Sequence, residues 1–182
     1  MRHEIKTNTM DSSAIIAKAR QTQPQRVVFL DRDGVINKKL EGDYVKSYNE
    51  FEFLPGVIDA IRNIKQKGLM VIIITNQSGI GRGIMSEDDL AMVHEQMLAD
   101  LKKEGVHIDA IYYCPHSPEI GCECRKPEDG LFKQALMDFN IDLKNSWMIG
   151  DELKDIAAGK KAGCKTYLLA QGELLLDVVV HC

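Results

Sequence analysis

Apolar positions fall into two textures along the chain. Five short apolar runs, RVVFL at 26–30, LMVIIITN from about 69 to 75, IDAIYYC at 108–114, SWMIGD at 146–151 and KTYLLA at 165–170, are rich in β-branched and aromatic residues. Their length and composition predict buried strands. Between them the apolar residues recur every three or four positions. LPGVIDAIRNIKQKG (54–68) carries Val57, Ile58, Ile61 and Ile64 at helical spacing, with Pro55 expected in its first turn and Gly68 as its stop. SEDDLAMVHEQMLADLKKEG (86–105) places Leu90, Val93, Met97 and Leu101 on one face. Ser86 with Asp89 three positions on reads as a capping box with an acidic first turn. Leu131, Ala135 and Phe139 predict a helix over about 128–140, and LKDIAAGKKAG a short one over 153–163. SGIGRG (78–83) reads as a loop, and LLLDVVV (174–180), too short to span a membrane, as a segment packed on the core.

Fully apolar strands alternating with amphipathic helices predict an α/β fold, a Rossmann-like parallel sheet of five strands with helices on both faces. Residues 1–24 are polar and weakly patterned and are read as an appendage, with one short helix in DSSAIIAKAR; residues 25–182 form the single domain. Insertions after the first and third strands are too short for a separate cap domain, which predicts an open site.

The net charge of −4 gives no reason to expect a nucleic acid or an anionic membrane as partner, and leaves room for a phosphorylated small molecule. No apolar run near the start suits a signal peptide, so the expected location is the cytoplasm, where five cysteines stay reduced. No apolar stripe demands a dimer, and a monomer is expected.

In parallel sheets, ligands bind beyond the carboxyl ends of the strands. Asp31 and Asp33 follow the first strand, Thr75 and Asn76 end the second, Lys126 follows the third, and Asp151 ends the fourth. Taken singly these are ordinary turn, cap or surface residues. Together they place three carboxylates, a hydroxyl, an amide and a lysine on one edge. Such carboxylates repel one another unless a hard cation joins them, and Mg²⁺ suits a few carboxylate oxygens with water and phosphate. One of the paired aspartates can attack phosphorus and the other can serve as acid and base; spacing alone does not assign the roles.

FLDRDGVIN, VIIITNQSGIGRG, CRKP and MIGDELKDIAAG resemble the four motifs of the haloacid dehalogenase superfamily, in order, over residues 26–172. The resemblance implies Asp31 as nucleophile and Asp33 as general acid and base. It implies Thr75 and Lys126 on the phosphoryl oxygens, and Mg²⁺ on Asp31, the main-chain carbonyl of Asp33, and Asp151. Asp155 would orient Lys126 or a water.

Cys114, His116, Cys122 and Cys124 give C-x-H-x₅-C-x-C. Three thiolates and an imidazole form a closed set for tetrahedral structural Zn²⁺, without an open position to activate water. The expected role is to brace a loop and so place Arg125 and Lys126. His94 and His107 are read as structural or solvated.

Two zinc-loop branches of the superfamily resemble this chain, the heptose bisphosphate phosphatases and the histidinol-phosphate phosphatases. The first implies removal of the 7-phosphate of a heptose 1,7-bisphosphate, supplying heptose 1-phosphate for surface-glycan (lipopolysaccharide) precursors. The short spacing between His116 and Cys122 matches the second branch. Arg82 in NQSGIGRG and Arg125 favour a doubly anionic sugar, because a guanidinium suits a second phosphate or sugar hydroxyls. The resemblance also implies substrate contacts from Asn76, Gln77, Ser78 and a flap carrying Asp43 and Tyr44. Glu152 departs from the lysine that heptose enzymes often place there. A non-catalytic phosphate-binding module is the reading of a different class.

Overall fold

A computed structural model describes residues 23–182. The helix expected in DSSAIIAKAR lies outside them. Five strands, β1 (Val27–Leu30), β2 (Met70–Asn76), β3 (Ala110–Cys114), β4 (Trp147–Gly150) and β5 (Lys165–Leu168), form one sheet in the order β3-β2-β1-β4-β5. Every pairing is parallel, as the alternation with helices demands.

Strand alternation divides the core. Val28, Leu30, Val71, Ile73 and Ile149 face one side, against α1 (Val57–Gln66), α3 (Glu87–Lys103) and α6 (Leu175–Val179). Val27, Phe29, Ile72, Ile74 and Met148 face the other, against α4 (Gly130–Asp138) and α5 (Leu153–Ala162). There Phe29 meets Phe132 edge-on, with ring centroids 4.9 Å apart. The C-terminal apolar run packs as expected, Leu175, Val178 and Val179 being buried beside Val57, Ile61 and Ile64.

Register carries the motifs to one edge. Leu30 pairs with Ile73 on one side and Ile149 on the other, so Asp31, Thr75 and Asp151 all lie within two residues of one level, at the carboxyl end of the sheet. The Asp31 amide still donates to the Ile149 carbonyl at 3.1 Å, which anchors the turn.

Three local expectations change. α1 starts at Val57 behind Gly56, whose φ of 76° turns the chain in, so Pro55 precedes the helix. SGIGRG is not all loop: Ser78–Gly81 forms the short helix α2. Glycine is required there, because a Cβ on Gly81 would lie 2.5 Å from the Ser117 amide nitrogen. α4 is shorter than 128–140, because Phe139 is already extended. The N-cap of α5 is Glu152, not Asp151, which leaves the Asp151 carboxylate to the site. Among the described residues no helix is long and apolar enough to cross a membrane.

Candidate active site

Asp31 sits at the end of β1 with its carboxylate almost fully buried. Lys126 Nζ lies 3.0 Å from Asp31 Oδ2 and 2.7 Å from Asp155 Oδ1, and donates to the Ile74 carbonyl at 2.8 Å. The Asp31 carboxyl is raised to about 6: burial raises it most, the Lys126 charge offsets part of that, and Asp155 and Asp33 add to the rise. Burial opposes the charge on Lys126 too, yet Asp31 and Asp155 outweigh it and its ammonium is held above the ordinary lysine range. Thr75 Oγ1 accepts from Gln77 Nε2 at 2.9 Å, which leaves the hydroxyl hydrogen to donate.

Asp33 is built differently. Its Oδ1 accepts from Arg32 Nη2 at 2.9 Å and Asn37 Nδ2 at 3.0 Å, and its Oδ2 from Arg32 Nη2 at 3.0 Å and Gln77 Nε2 at 2.9 Å. Burial works against ionisation, but the Arg32 charge and these hydrogen bonds together hold the carboxyl below the usual range. Two aspartates two residues apart therefore differ in acidity, in opposite directions.

Asp151 completes the acidic edge. One oxygen each from Asp31, Asp151 and Asp155 lies within 4.8 Å of the others. Asp155 is committed to Lys126 and to the Glu152 amide (3.0 Å). Asp151 Oδ1 is buried without a hydrogen-bond partner. A hard cation fits this donor set, with Asp31 and Asp151 as its carboxylates. Gly34, at φ 91°, lets the chain pass close by; a Cβ there would lie 2.4 Å from Asp151 Oδ2. The other Asp151 oxygen accepts from Lys39 Nζ at 2.9 Å. Lys39 also pairs with Glu152, whose second oxygen is 2.8 Å from Lys154 Nζ. Against burial, Lys154 and Lys39 hold the Glu152 carboxyl down at about 2.

These groups open into a cleft of about 110 Å³ lined by Asp31, Asp33, Thr75 and Asn76 below and by Lys39, Asp43, Tyr44, Glu152 and Lys154 around its mouth. Asn76 lines it while clamping the next loop: Nδ2 donates to the Lys126 carbonyl at 3.1 Å, and Oδ1 accepts from the Lys126 amide at 3.0 Å. Asp43 is exposed and pairs with Lys46 at 2.6 Å. Tyr44 Oη meets Ser78 Oγ at 3.1 Å. Gln77 and Ser78 are buried and reach the lining through hydrogen bonds, Gln77 to Thr75 and Asp33 and Ser78 to Tyr44. Arg82 faces Glu119 at 3.9 Å, and Arg125 Nη1 donates to the His116 carbonyl at 3.4 Å; neither lines the cleft.

The four soft donors converge. Cys124 Sγ is 3.2 Å from Cys114 Sγ and 3.4 Å from Cys122 Sγ, and His116 Nδ1 is 3.3 Å from Cys124 Sγ. All three thiols are free of disulfides, and the set fits Zn²⁺ by type and number. Lys126 follows the last of them by two residues. Gly130, the first residue of α4, presses on the loop, its amide donating to the Glu123 carbonyl at 3.1 Å.

Sequence reasoning passed over Arg32, Lys39 and Lys154. Arg32 stood in plain view between the two aspartates, and its full burial is the signal that a motif alone does not give. His94, read only as structural or solvated, is fully buried on α3 with Nε2 3.1 Å from Arg32 Nη1. His107 lies at the surface, with Nε2 3.5 Å from Asp109 Oδ1.

Comparison with known proteins agrees with this geometry. The HAD-hydrolase-like family model matches residues 123–177. The chain is 41% identical over 172 residues to the D-glycero-beta-D-manno-heptose-1,7-bisphosphate 7-phosphatase of Haemophilus ducreyi, covering 86% of this chain and 93% of that one. It is 42% identical over 148 residues to the D-glycero-alpha-D-manno-heptose-1,7-bisphosphate 7-phosphatase of Campylobacter jejuni, covering 81% and 84%. Among solved structures, the D,D-heptose 1,7-bisphosphate phosphatase of B. bronchiseptica, complexed with magnesium and phosphate, superposes with a TM-score of 0.79 at 35% identity, over 86% of this chain and 97% of that one.

Proposed function

The chain belongs to the heptose-1,7-bisphosphate 7-phosphatases of the haloacid dehalogenase-like hydrolases, and from that membership we propose that it removes the 7-phosphate of D-glycero-D-manno-heptose 1,7-bisphosphate. The observation that carries the reading is the buried Lys126–Asp31 pair, whose aspartate lines, together with Thr75, a cleft with room for a phosphoryl group.

Asp31 attacks the phosphorus at C7 while the bond from phosphorus to the sugar oxygen breaks, giving an aspartyl-phosphate and a free sugar hydroxyl. Lys126 and Thr75 hold the phosphoryl oxygens. Asp33 in its protonated form supplies the proton to the leaving oxygen and is left as the carboxylate that Arg32, Asn37 and Gln77 stabilise. It then takes a proton from the water that attacks the aspartyl-phosphate, releasing inorganic phosphate and the Asp31 carboxylate. Asp31, Asp151 and the Asp33 main-chain carbonyl would hold Mg²⁺, which when bound would neutralise charge on the phosphoryl group. Cys114, His116, Cys122 and Cys124 would hold Zn²⁺, which when bound would fix the loop that delivers Lys126.

Asp43, Tyr44 and Asn76 contact the sugar from the cleft wall, with Gln77 and Ser78 holding that wall. Lys39 and Lys154 are the cations among the lining residues, and the phosphate left at C1 meets them. Heptose 1-phosphate then serves as a precursor for nucleotide activation and surface glycan.

Phosphorus NMR on both anomers of the bisphosphate, with histidinol phosphate in parallel, tests the reading. The expected result is loss of the C7 resonance with the C1 phosphate intact. A higher kcat/KM for histidinol phosphate overturns it.

A further inference from the structure

Arg32 and His94 have no part in the chemistry above, yet both are fully buried behind it. Arg32 is the residue between nucleophile and acid/base. Its main-chain amide donates to Asp31 Oδ1 at 2.7 Å, while its guanidinium turns the other way and takes both oxygens of Asp33. A third contact, Nε to Asp33 Oδ1 at 3.3 Å, completes the grip. The remaining terminal nitrogen, Nη1, is 3.1 Å from His94 Nε2. An arginine nitrogen can only donate, so His94 Nε2 accepts and the ring proton sits on Nδ1. His94 is fixed in turn by its place on α3 and by an edge-on contact with Tyr113, centroids 6.3 Å apart. A buried guanidinium with one flank unheld would be free to tilt; the imidazole closes that flank.

We propose that Arg32 and His94 are positioning residues for the acid/base carboxylate: His94 fixes the guanidinium, and the guanidinium fixes Asp33 where it takes the proton of the attacking water. The inference rests on the aspartyl-phosphate reading above and adds residues to it. The step that depends on it is the second one. Water oxygen bonds to phosphorus, the bond from phosphorus to Asp31 breaks, and the water proton passes to Asp33.

An activated ester separates this step from the first. With para-nitrophenyl phosphate the leaving group needs no proton, so aspartyl-phosphate forms without help from Asp33, whereas its hydrolysis still requires the base. In the full-length protein His94→Leu, stopped-flow is expected to show a burst of nitrophenolate of undiminished amplitude, followed by a steady state about tenfold slower than in the unmodified protein. His94→Gln, whose amide oxygen can accept from Arg32, is expected to recover most of the rate. A purely structural role for His94 would reduce burst amplitude and steady rate together. That result, or an unchanged steady rate in His94→Leu, overturns the proposal. Should the leucine protein fail to fold, His94→Met is read in the same assay with the same two outcomes. Asp33→Asn is the reference: a burst followed by stalled hydrolysis upholds the acid/base assignment, so failure of the His94 variants then counts against this inference alone. Steady hydrolysis in Asp33→Asn overturns the assignment itself.

Discussion

Lys126 and Asp155 form an ion pair, 2.7 Å from Nζ to Oδ1, in which neither side chain has any exposure to solvent. Asp155 comes from the first turn of α5 and Lys126 from the zinc loop, so the pair ties two elements far apart in sequence. A buried charge left without its partner is strongly unfavourable, and here Lys126 keeps only Asp31 if Asp155 is lost. Asp155→Ala is expected to destabilise the protein by about 3 kcal/mol, read as a fall in Tm of roughly 6–12 °C for a chain of this size. Activity should fall with it, because the lysine is no longer held over the phosphoryl site. A melting temperature within a degree of the parent would contradict this.

Asp31 is strained in the opposite sense. Its folded carboxyl is raised to about 6 from 3.8. Above pH 6 the group is ionised both folded and unfolded, and burial then costs stability. As pH falls through 6 towards 3.8 the folded form takes up its proton first, so this group's penalty is relieved over that window. Asp31→Asn removes the charge and is expected to raise stability at pH 7 by on the order of 1–2 kcal/mol, discounted because Lys126 loses a partner. Phosphatase activity should drop by about 10³-fold or more. Thermal melts in magnesium-free buffer, with zinc content verified, check the sign; equal or lower stability refutes it.

The zinc loop reaches the chemistry through Asn76, which grips both main-chain polar groups of Lys126. Cys122→Ser removes one of four soft donors. The protein is expected to lose zinc by metal analysis and to fall in kcat by about 10²-fold, the scale of a displacement of roughly 1 Å at a reacting group. Zinc-stripped parent should recover on adding Zn²⁺, and the serine protein should not. Full activity after verified removal would leave the loop without the bracing role.

Much of this was legible in the residues alone. Fully apolar strands admit few arrangements besides a covered parallel sheet, and a parallel sheet sends Asp31, Thr75 and Asp151 to one edge whatever the side chains do next. The Cys/His set was legible because soft donors cluster for few other reasons; Ser86 and Asp89 were legible because caps are local. What escaped depended on distant contacts. Whether Arg32 is a solvated turn residue or a buried clamp is decided by His94 and Gln77, 62 and 45 positions away. SGIGRG read as loop because two of its glycines are needed for close packing against Tyr44 and Ser117, which no local pattern announces. Arg82 and Arg125 were natural candidates for a second phosphate, but the side chains at the cleft mouth are Lys39 and Lys154, brought there by a flap and a helix start.

Lys39 and a divalent ion at the proposed site would draw on the same carboxylate, that of Asp151. The Lys39 ammonium lies 2.9 Å from Asp151 Oδ2 and also pairs with Glu152, so a divalent ion at Asp31 and Asp151 must work against a fixed positive charge. Lys39 is part-exposed, which limits the size of the effect. Lys39→Met is expected to tighten Mg²⁺ binding by about two- to fivefold, the range of an exposed ion pair. Isothermal titration without substrate reads this directly, with Lys133→Met, a surface pair to Asp129 away from the cleft, as the control. The same substitution should raise KM for the bisphosphate, because one of the two cations facing the second phosphate is gone. Lys154→Met separates the two effects: it contacts Glu152 and not Asp151, so it should raise KM while leaving the magnesium titration where it was. Unaltered magnesium affinity in Lys39→Met would mean that its ammonium swings clear of Asp151 at no cost, and the pair would have no bearing on the metal.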